Sequence, residues 1–383
     1  MKYRLFGKKL NWQGSVLGFG AMRLPQTSNN PADVDEAESI RMIRHAIDNG
    51  VNYVDTAYPY HEGRSEVVVG KALKDGYRQK VKLATKLPPW SVRTGADFDR
   101  IFDEQLKRLQ MDFVDFYLLH GLTKEFWLRF RDLKVFQWAE KAMADGRIGK
   151  LGFSFHDEHS LFKEIVDGYD NWTFCQAQYN FMDADYQAGT KGIRYAAEKG
   201  LAVVIMEPLR GGSLAKQPPE SVARIWTEAE HKRSPAEWAL LWVWNHPEVS
   251  VVLSGMSTFD QVKENLDIAE KSGPGSLSQD ELKLIERARQ AFAKLGPIPC
   301  TGCGYCMPCN QGVKIPQIFQ MYNNGIMYSD MRTARLLYRG GLGLNPEERA
   351  DQCIECGECE EACPQKVPIT EWLKKVHKEL GPR

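Results

Sequence analysis

The chain has 383 residues, 43% of them hydrophobic, and balances 50 Lys plus Arg against 50 Asp plus Glu. That balance gives no electrostatic basis for a nucleic-acid partner or an acidic membrane face, and no stretch approaches the roughly 18 uncharged apolar residues of a membrane span. The length suits one large and one small domain. Met1 to Trp12 carries Lys2, Arg4, Lys8 and Lys9 but lacks the apolar centre of a secretion signal, so a soluble, cytoplasmic protein is expected.

Short apolar runs alternate with helical stretches through the first 270 residues. The predicted strands are Val16–Gly20, Tyr53–Ala57, Lys82–Lys86, Val114–His120, Lys150–Ser154, Phe174–Gln178, Ala202–Glu207 and Ser250–Ser254. Helices such as Asp35–Asn49, Asp97–Leu109 and Pro235–Asn245 fall between them, and Asn49-Gly50 and Lys199-Gly200 read as helix stops just before a strand. Eight strand–helix units in about 260 residues point to an α/β fold of the (β/α)8 TIM-barrel kind. A doubly wound open sheet is the competing fold. It wants a glycine-rich phosphate turn after its first strand, and Gly18-Phe-Gly20-Ala-Met-Arg23 has no third glycine at the right place.

Barrel chemistry belongs at the carboxyl ends of the strands. Those ends read Asp55-Thr-Ala-Tyr-Pro-Tyr60, Thr85-Lys86, Leu119-His120, Gly152-Phe-Ser154 and Gln176-Ala-Gln178. Ionisable groups from separate elements therefore meet at one rim. Taken singly, Asp55 and Lys86 are equally readable as a structural ion pair, and His120, after four apolar residues, as a core histidine. Tyr58 is a second phenol in the same run. Cys175, alone in the apolar run Phe174 to Tyr179, reads as a small core residue.

Past the barrel, Lys271 to Ser278 is a loop, Gln279 to Leu295 a charged amphipathic helix, and Gly296-Pro-Ile-Pro299 a stiff entry to the cysteines. The expected domains are 1–295 and 296–383. Eight of the nine cysteines follow, as Cys300-x2-Cys303-x2-Cys306-x2-Cys309 and Cys353-x2-Cys356-x2-Cys359-x3-Cys363-Pro364. Thiolates at every third position are ligands for two [4Fe–4S] cubanes rather than a disulfide framework or a zinc site built from separated pairs. By the crossed rule of two-cluster ferredoxins, Cys300, Cys303, Cys306 and Cys363 hold one cubane. Cys353, Cys356, Cys359 and Cys309 hold the other. The first run departs from the pattern, closing with x2 and followed by Asn310 instead of proline. Gly302, Gly304 and Gly357 suit tight backbone around sulfur. The helical pattern between the runs (Ile315, Ile318, Phe319, Tyr322, then Met331 to Tyr338) resembles the helical ferredoxin modules appended to respiratory and disulfide-reducing enzymes.

Residues 1 to about 270 resemble the aldo-keto reductases. The resemblance rests on Val54-Asp-Thr-Ala-Tyr-Pro-Tyr60 through Ser65-Glu66, Ala84-Thr-Lys86, Asp115-Phe-Tyr-Leu-Leu-His120, Gly146 to Ser154, and Gly255-x9-Asn265, in the family's order. With the cysteine runs attached, the chain resembles the iron–sulfur branch of that family. The resemblance implies a catalytic tetrad of Asp55, Tyr60, Lys86 and His120. Tyr60 would be the general acid, Lys86 would lower the phenol's pKa, Asp55 would orient Lys86, and His120 would bond the substrate oxygen. It also implies a nicotinamide cofactor, NADP or NAD. Ser154 and Gln176 would take the carboxamide, Met206 the place where relatives stack an aromatic ring, Arg210 and Gly211 the pyrophosphate, and Ser257, Gln261, Glu264 and Asn265 the adenosine end. Relatives strict for NADP often carry Lys and Arg where this chain has Gly255 and Gln261.

Hydride moves as an electron pair, whereas a [4Fe–4S] cluster takes one electron at a time, and flavins bridge that gap. No flavin motif is present, though a barrel rim has room for one. Two function classes follow. One is an NAD(P)H-linked reductase of small aldehyde or ketone carbonyls (or oxidase of the alcohols) fused to a two-cluster electron-transfer module. The other is an electron-transfer or redox-sensing subunit whose barrel binds nucleotide or flavin and whose clusters serve a ferredoxin or flavoprotein partner.

Overall fold

The computed structural model describes residues 1–28, 30–300, 304, 306–339, 343–363 and 366–382. Ten strands are assigned among them. β1 (Tyr3–Leu5) and β2 (Gln13–Ser15) form a small antiparallel pair. β3 (Leu17–Gly20), β4 (Tyr53–Asp55), β5 (Lys82–Leu87), β6 (Val114–Leu122), β7 (Ile148–Phe155), β8 (Phe174–Gln178), β9 (Ala202–Met206) and β10 (Val249–Gly255) are all parallel and close into a barrel through β10–β3 pairing. All eight expected strands are present, and only their ends differ.

Local chemistry explains why the crossovers are helical. The helix Glu36–Asp48 starts at Asp35, whose carboxylate accepts the Glu38 N–H at 3.0 Å. It buries Met42, Ile43, Ala46 and Ile47 on one face and stops before Gly50, whose φ of +94° suits glycine. Strand residues buried on both sides make near-continuous apolar runs, as in Val114 to Leu119 of β6.

The β1–β2 pair has no counterpart in the sequence reading, because three-residue strands carry too little alternation to register. It carries Phe6 into the barrel. Phe6 is fully buried and stacks on Phe116 (centroids 4.9 Å apart) and Tyr53 (5.9 Å), within a cluster that includes Phe174, Val204 and Val251. Cys175 is also fully buried, and burial pushes its thiol up to about 12, as suits a packing residue.

The chain divides into two compact units, residues 1–215 with 234–279, and 216–233 with 280–383. The helix Gln279–Lys294, read from the sequence as the end of the barrel domain, groups from residue 280 onward with the second unit. Arg287 grips Glu228 with two bonds of 2.6 and 2.8 Å, and Arg233 reaches Glu281 at 2.6 Å. The second unit is mainly helical. Helices Ile315–Met327, Met331–Arg339 and Ile369–Leu380 bury Ile318, Phe319, Tyr322, Tyr338, Leu373 and Val376 together.

Phe6→Ala removes an aromatic plug from a close-packed barrel, so it is expected to destabilise the first unit by about 3–5 kcal/mol, measured by guanidinium unfolding of the full chain.

Candidate active site and cysteine cavity

β4 ends at Asp55, and the chain then turns through Pro59 into the short helical turn Tyr60–Gly63. His61 and Glu62 there have φ of 51° and 53°, an uncommon conformation for residues with side chains. Two anchors hold the turn. The His61 Nδ1 donates to the Pro31 carbonyl at 2.9 Å, and its Nε2 accepts the Leu24 N–H at 3.1 Å. Gly63 has φ +87°, and a Cβ there would sit 2.7 Å from the Arg108 guanidinium.

The turn delivers Tyr60 to Lys86. The Lys86 ammonium, fully buried on β5, donates to Asp55 Oδ1 at 2.5 Å, to the Thr56 carbonyl at 2.8 Å and to the Tyr60 hydroxyl at 3.3 Å. Its three protons are thus matched by three acceptors. The His120 ring, on β6, lies edge-on to Tyr60 with centroids 6.0 Å apart. Both rings keep part of their surface open. The other phenol faces elsewhere: Tyr58 bonds Glu104 at 3.0 Å, with Arg108 over its ring.

A second layer fixes β5. Glu66 is fully buried and accepts from Thr85 Oγ1 (2.7 Å), Gln105 Nε2 (2.8 Å) and Arg108 Nη1 (3.2 Å). Gln105 also donates to the Lys86 carbonyl at 3.0 Å. Sequence reading quoted Glu66 within a motif without a role and passed over Gln105 and Arg108. Their signal is a buried glutamine and an arginine three positions on, along the helix Ala96–Leu109.

Burial raises the Tyr60 phenol above its ordinary value of 10; Lys86 pulls it down, as expected, but burial is the larger effect. Burial likewise lifts Asp55 above the usual carboxylate value against the pull of Lys86. Burial draws Lys86 down, but Asp55 and Tyr60 more than offset this and leave it above an ordinary lysine. At 2.5 Å the pair has the form of a charge-assisted ammonium–carboxylate bond. His120 is held well below 6.5 by burial and then by Lys86, so its imidazole is neutral at pH 7.

The residues expected at a nucleotide fall in three places. Ser154 and Gln176 are register partners on β7 and β8, and Ser154 Oγ accepts the Gly121 N–H at 2.7 Å. His120 Nδ1 and Gln176 Oε1 are buried without a hydrogen-bond partner, which fits a polar ligand between these strand ends. Met206 closes β9. Arg210 pairs with Asp183 at 3.1 Å, and Gly211 follows with φ +67°. After β10, the Ser257 N–H donates to Gln261 Oε1 at 2.8 Å, Glu264 accepts from Ser234 at 2.7 Å, and buried Asn265 bonds Ser254 at 2.8 Å. Sequence reading missed Trp90, half-exposed with its ring 5.1 Å from His120, in the aperiodic loop Leu87-Pro-Pro-Trp90. It also missed Glu207, whose side chain is 3.5 Å from Arg23.

In the second unit, Cys306, Cys309, Cys353, Cys356 and Cys359 line one cavity of about 210 Å³. Cys309 of the first run therefore stands beside the second run, and Cys306 borders the same space. Cys363 is buried in the helical core, against which Cys300 also packs. Cys303, Gly302 and Pro364 lie outside the described residues. Gly304 and Gly357 have φ of +77° and +81°, as tight turns around sulfur require. Burial, then neighbouring sulfurs and Glu360, push the Cys359 thiol up to about 11. Among the described residues no three of these thiols close to ligand distance of a single ion. Five soft donors around one cavity nevertheless fit an iron–sulfur cubane better than any hard-ligand metal.

A model of the aldo/keto reductase family matches residues 16–290, and one of a 4Fe-4S dicluster domain matches residues 299–367. The chain belongs to the aldo/keto reductase family. It is an oxidoreductase of that type with an iron–sulfur module. The methylglyoxal reductase YeaE of Escherichia coli is 28% identical over 264 residues, covering 66% of this chain and 84% of that protein. An NADH-specific methylglyoxal reductase of the same organism is 24% identical over 319 residues, covering 71% and 96%. The holo form of a Bacillus halodurans aldo-keto reductase superposes with a TM-score of 0.62 at 28% identity, covering 75% of this chain and 96% of that one. Among the described residues no helix is long and apolar enough to cross a membrane.

Lys86→Met leaves the Asp55 carboxylate buried without its cation, so it is expected to cost about 3–5 kcal/mol of stability. Adding Asp55→Asn should recover part of that loss, read from the unfolding midpoints of the single and double variants.

Proposed function

We propose that the barrel reduces small aldehydes or α-oxo-aldehydes with NADH or NADPH, and that the C-terminal module carries two [4Fe–4S] clusters. The observation that carries the reductase reading is one buried ammonium touching both Asp55 and the Tyr60 hydroxyl, at 2.5 and 3.3 Å. The names of the methylglyoxal reductases among its relatives support the substrate class.

A bound nicotinamide supplies hydride to the carbonyl carbon. Charge then develops on the carbonyl oxygen, and the Tyr60 O–H is the proton source beside it. The neutral His120 imidazole orients that oxygen by hydrogen bonding. Lys86 stabilises the phenolate that remains, and Asp55 keeps Lys86 charged and aimed. Ser154 and Gln176 would hold the carboxamide, and Met206 would lie in the place where relatives stack an aromatic ring. Arg210 and Gly211 would serve the pyrophosphate, and Ser257, Gln261, Glu264 and Asn265 the adenosine end.

In the second unit, Cys309 with Cys353, Cys356 and Cys359 would hold one cubane. Cys300, Cys303, Cys306 and Cys363 would hold the other. Clusters so bound supply one-electron transfer, and a ferredoxin or flavoprotein is the matching partner.

Tyr60→Phe is expected to lower kcat for carbonyl reduction about 10²–10⁴-fold while nucleotide affinity is kept. Unchanged turnover would remove Tyr60 from the chemistry. Cluster reduction by a ferredoxin, with no carbonyl turnover in the unsubstituted protein, would favour the electron-transfer reading instead.

The pH dependence has a definite sign. Because the phenol lies above 10, it stays protonated through neutral pH. Reduction should therefore be level from about pH 6 to 9 and fall only as the phenol ionises. Alcohol oxidation needs the phenolate, so its rate should climb with pH over the same range. A reductive rate that falls through pH 7 would contradict this assignment.

A further inference from the structure

Asn310 stands where the first cysteine run departs from the ferredoxin pattern, and the structure gives that departure a use. Its side chain lines the cysteine cavity. The Nδ2 amide lies 3.9 Å from Cys356 Sγ, within reach of a hydrogen bond to sulfur, and 3.4 Å from Glu358 Oε2. A primary amide has two N–H groups, one for each acceptor. Proline at this position would offer neither.

A second donor reaches the same run: the Glu355 N–H lies 3.4 Å from Cys353 Sγ. Cys356 is exposed, whereas Cys363, assigned to the other cluster, is buried. The Cys356 and Cys363 thiols therefore differ in exposure, while Cys306 borders the same cavity as the second run. A cluster gains negative charge on reduction, and an N–H aimed at a ligand sulfur stabilises the more negative state. Such bonds, together with solvent exposure, set cluster potential.

We infer that Asn310 is a positioning and tuning residue for the cluster of the second cysteine run, raising its potential by donating to Cys356. This rests on the two-cluster reading given above, and deepens it by assigning one cluster a side-chain amide donor. Glu358 serves the amide by fixing its orientation.

The test is an anaerobic redox titration of the full-length protein, followed by electron paramagnetic resonance, with iron and sulfide counted in each sample. In Asn310→Ala, one of the two clusters should become harder to reduce. Its reduced-to-oxidised ratio at a fixed ambient potential should fall roughly three- to tenfold, the size of one lost hydrogen bond. The other cluster should titrate as before. Asn310→Asp keeps the shape, replaces donor by acceptor and adds charge, so it should shift the same cluster further in the same direction. It also preserves the comparison should the alanine variant lose iron.

Variants that keep both clusters and titrate like the unsubstituted protein would overturn the inference. So would equal shifts of both clusters. Fewer than eight irons per unsubstituted chain would instead overturn the two-cluster reading.

Discussion

Holding an ammonium inside a barrel removes its hydration, at a cost of several kcal/mol. Lys86 is tolerated there because each of its protons has an acceptor: Asp55, the Thr56 carbonyl and the Tyr60 hydroxyl. Much around it serves this arrangement. The glutamate–glutamine–arginine layer behind β5 fixes the strand that carries the lysine. The strained turn at His61 and Glu62 brings the tyrosine to it. His120 is kept neutral partly by the same positive charge. One buried cation thus ties together the strand ends on which the chemistry depends.

The sign of the Tyr60 perturbation changes how such a site works. A phenol made strongly acidic would lose its proton near neutrality and be useless as a donor. Here burial outweighs the ammonium, and in the proposed reaction the proton would stay in place until a developing alkoxide, a far stronger base, took it. On that proposal the contribution of Lys86 would fall mainly on the phenolate left behind, after the proton has moved. Stabilisation of that kind acts on the transition state more than on the resting site.

Much of this was legible in the sequence, and the parts that were not share a cause. The strands were readable because parallel strands buried on both faces make apolar runs with polar ends, as in Val114 to His120. Asp55, Tyr60, Lys86 and His120 could be grouped because strand order alone brings their ends to one rim. Phe6 was missed because its flanking strands are three residues each, and Trp90 because its loop has no period. The net direction at Tyr60 was also out of reach, since it is a balance between burial and charge that needs positions as well as residue types. Arg287–Glu228 and Arg233–Glu281 tie the helix from residue 280 onward to segment 216–233, partners about 50 to 60 residues apart that no local pattern announces.

The cysteine-rich unit follows a simpler logic. Regular thiol spacing made its ligands plain, while the surroundings of each sulfur depended on the fold. Glycines at positive φ shape the turns, and the Asn310 amide lies beside Cys356 of the second run. The most direct measurement on the whole molecule is isotopic. Under anaerobic conditions, a nicotinamide deuterated at its transferring carbon should pass one deuterium to the carbonyl carbon of methylglyoxal or a similar aldehyde, without mediator. Product formed without label, or formed only when an electron carrier is added, would contradict direct reduction in the barrel.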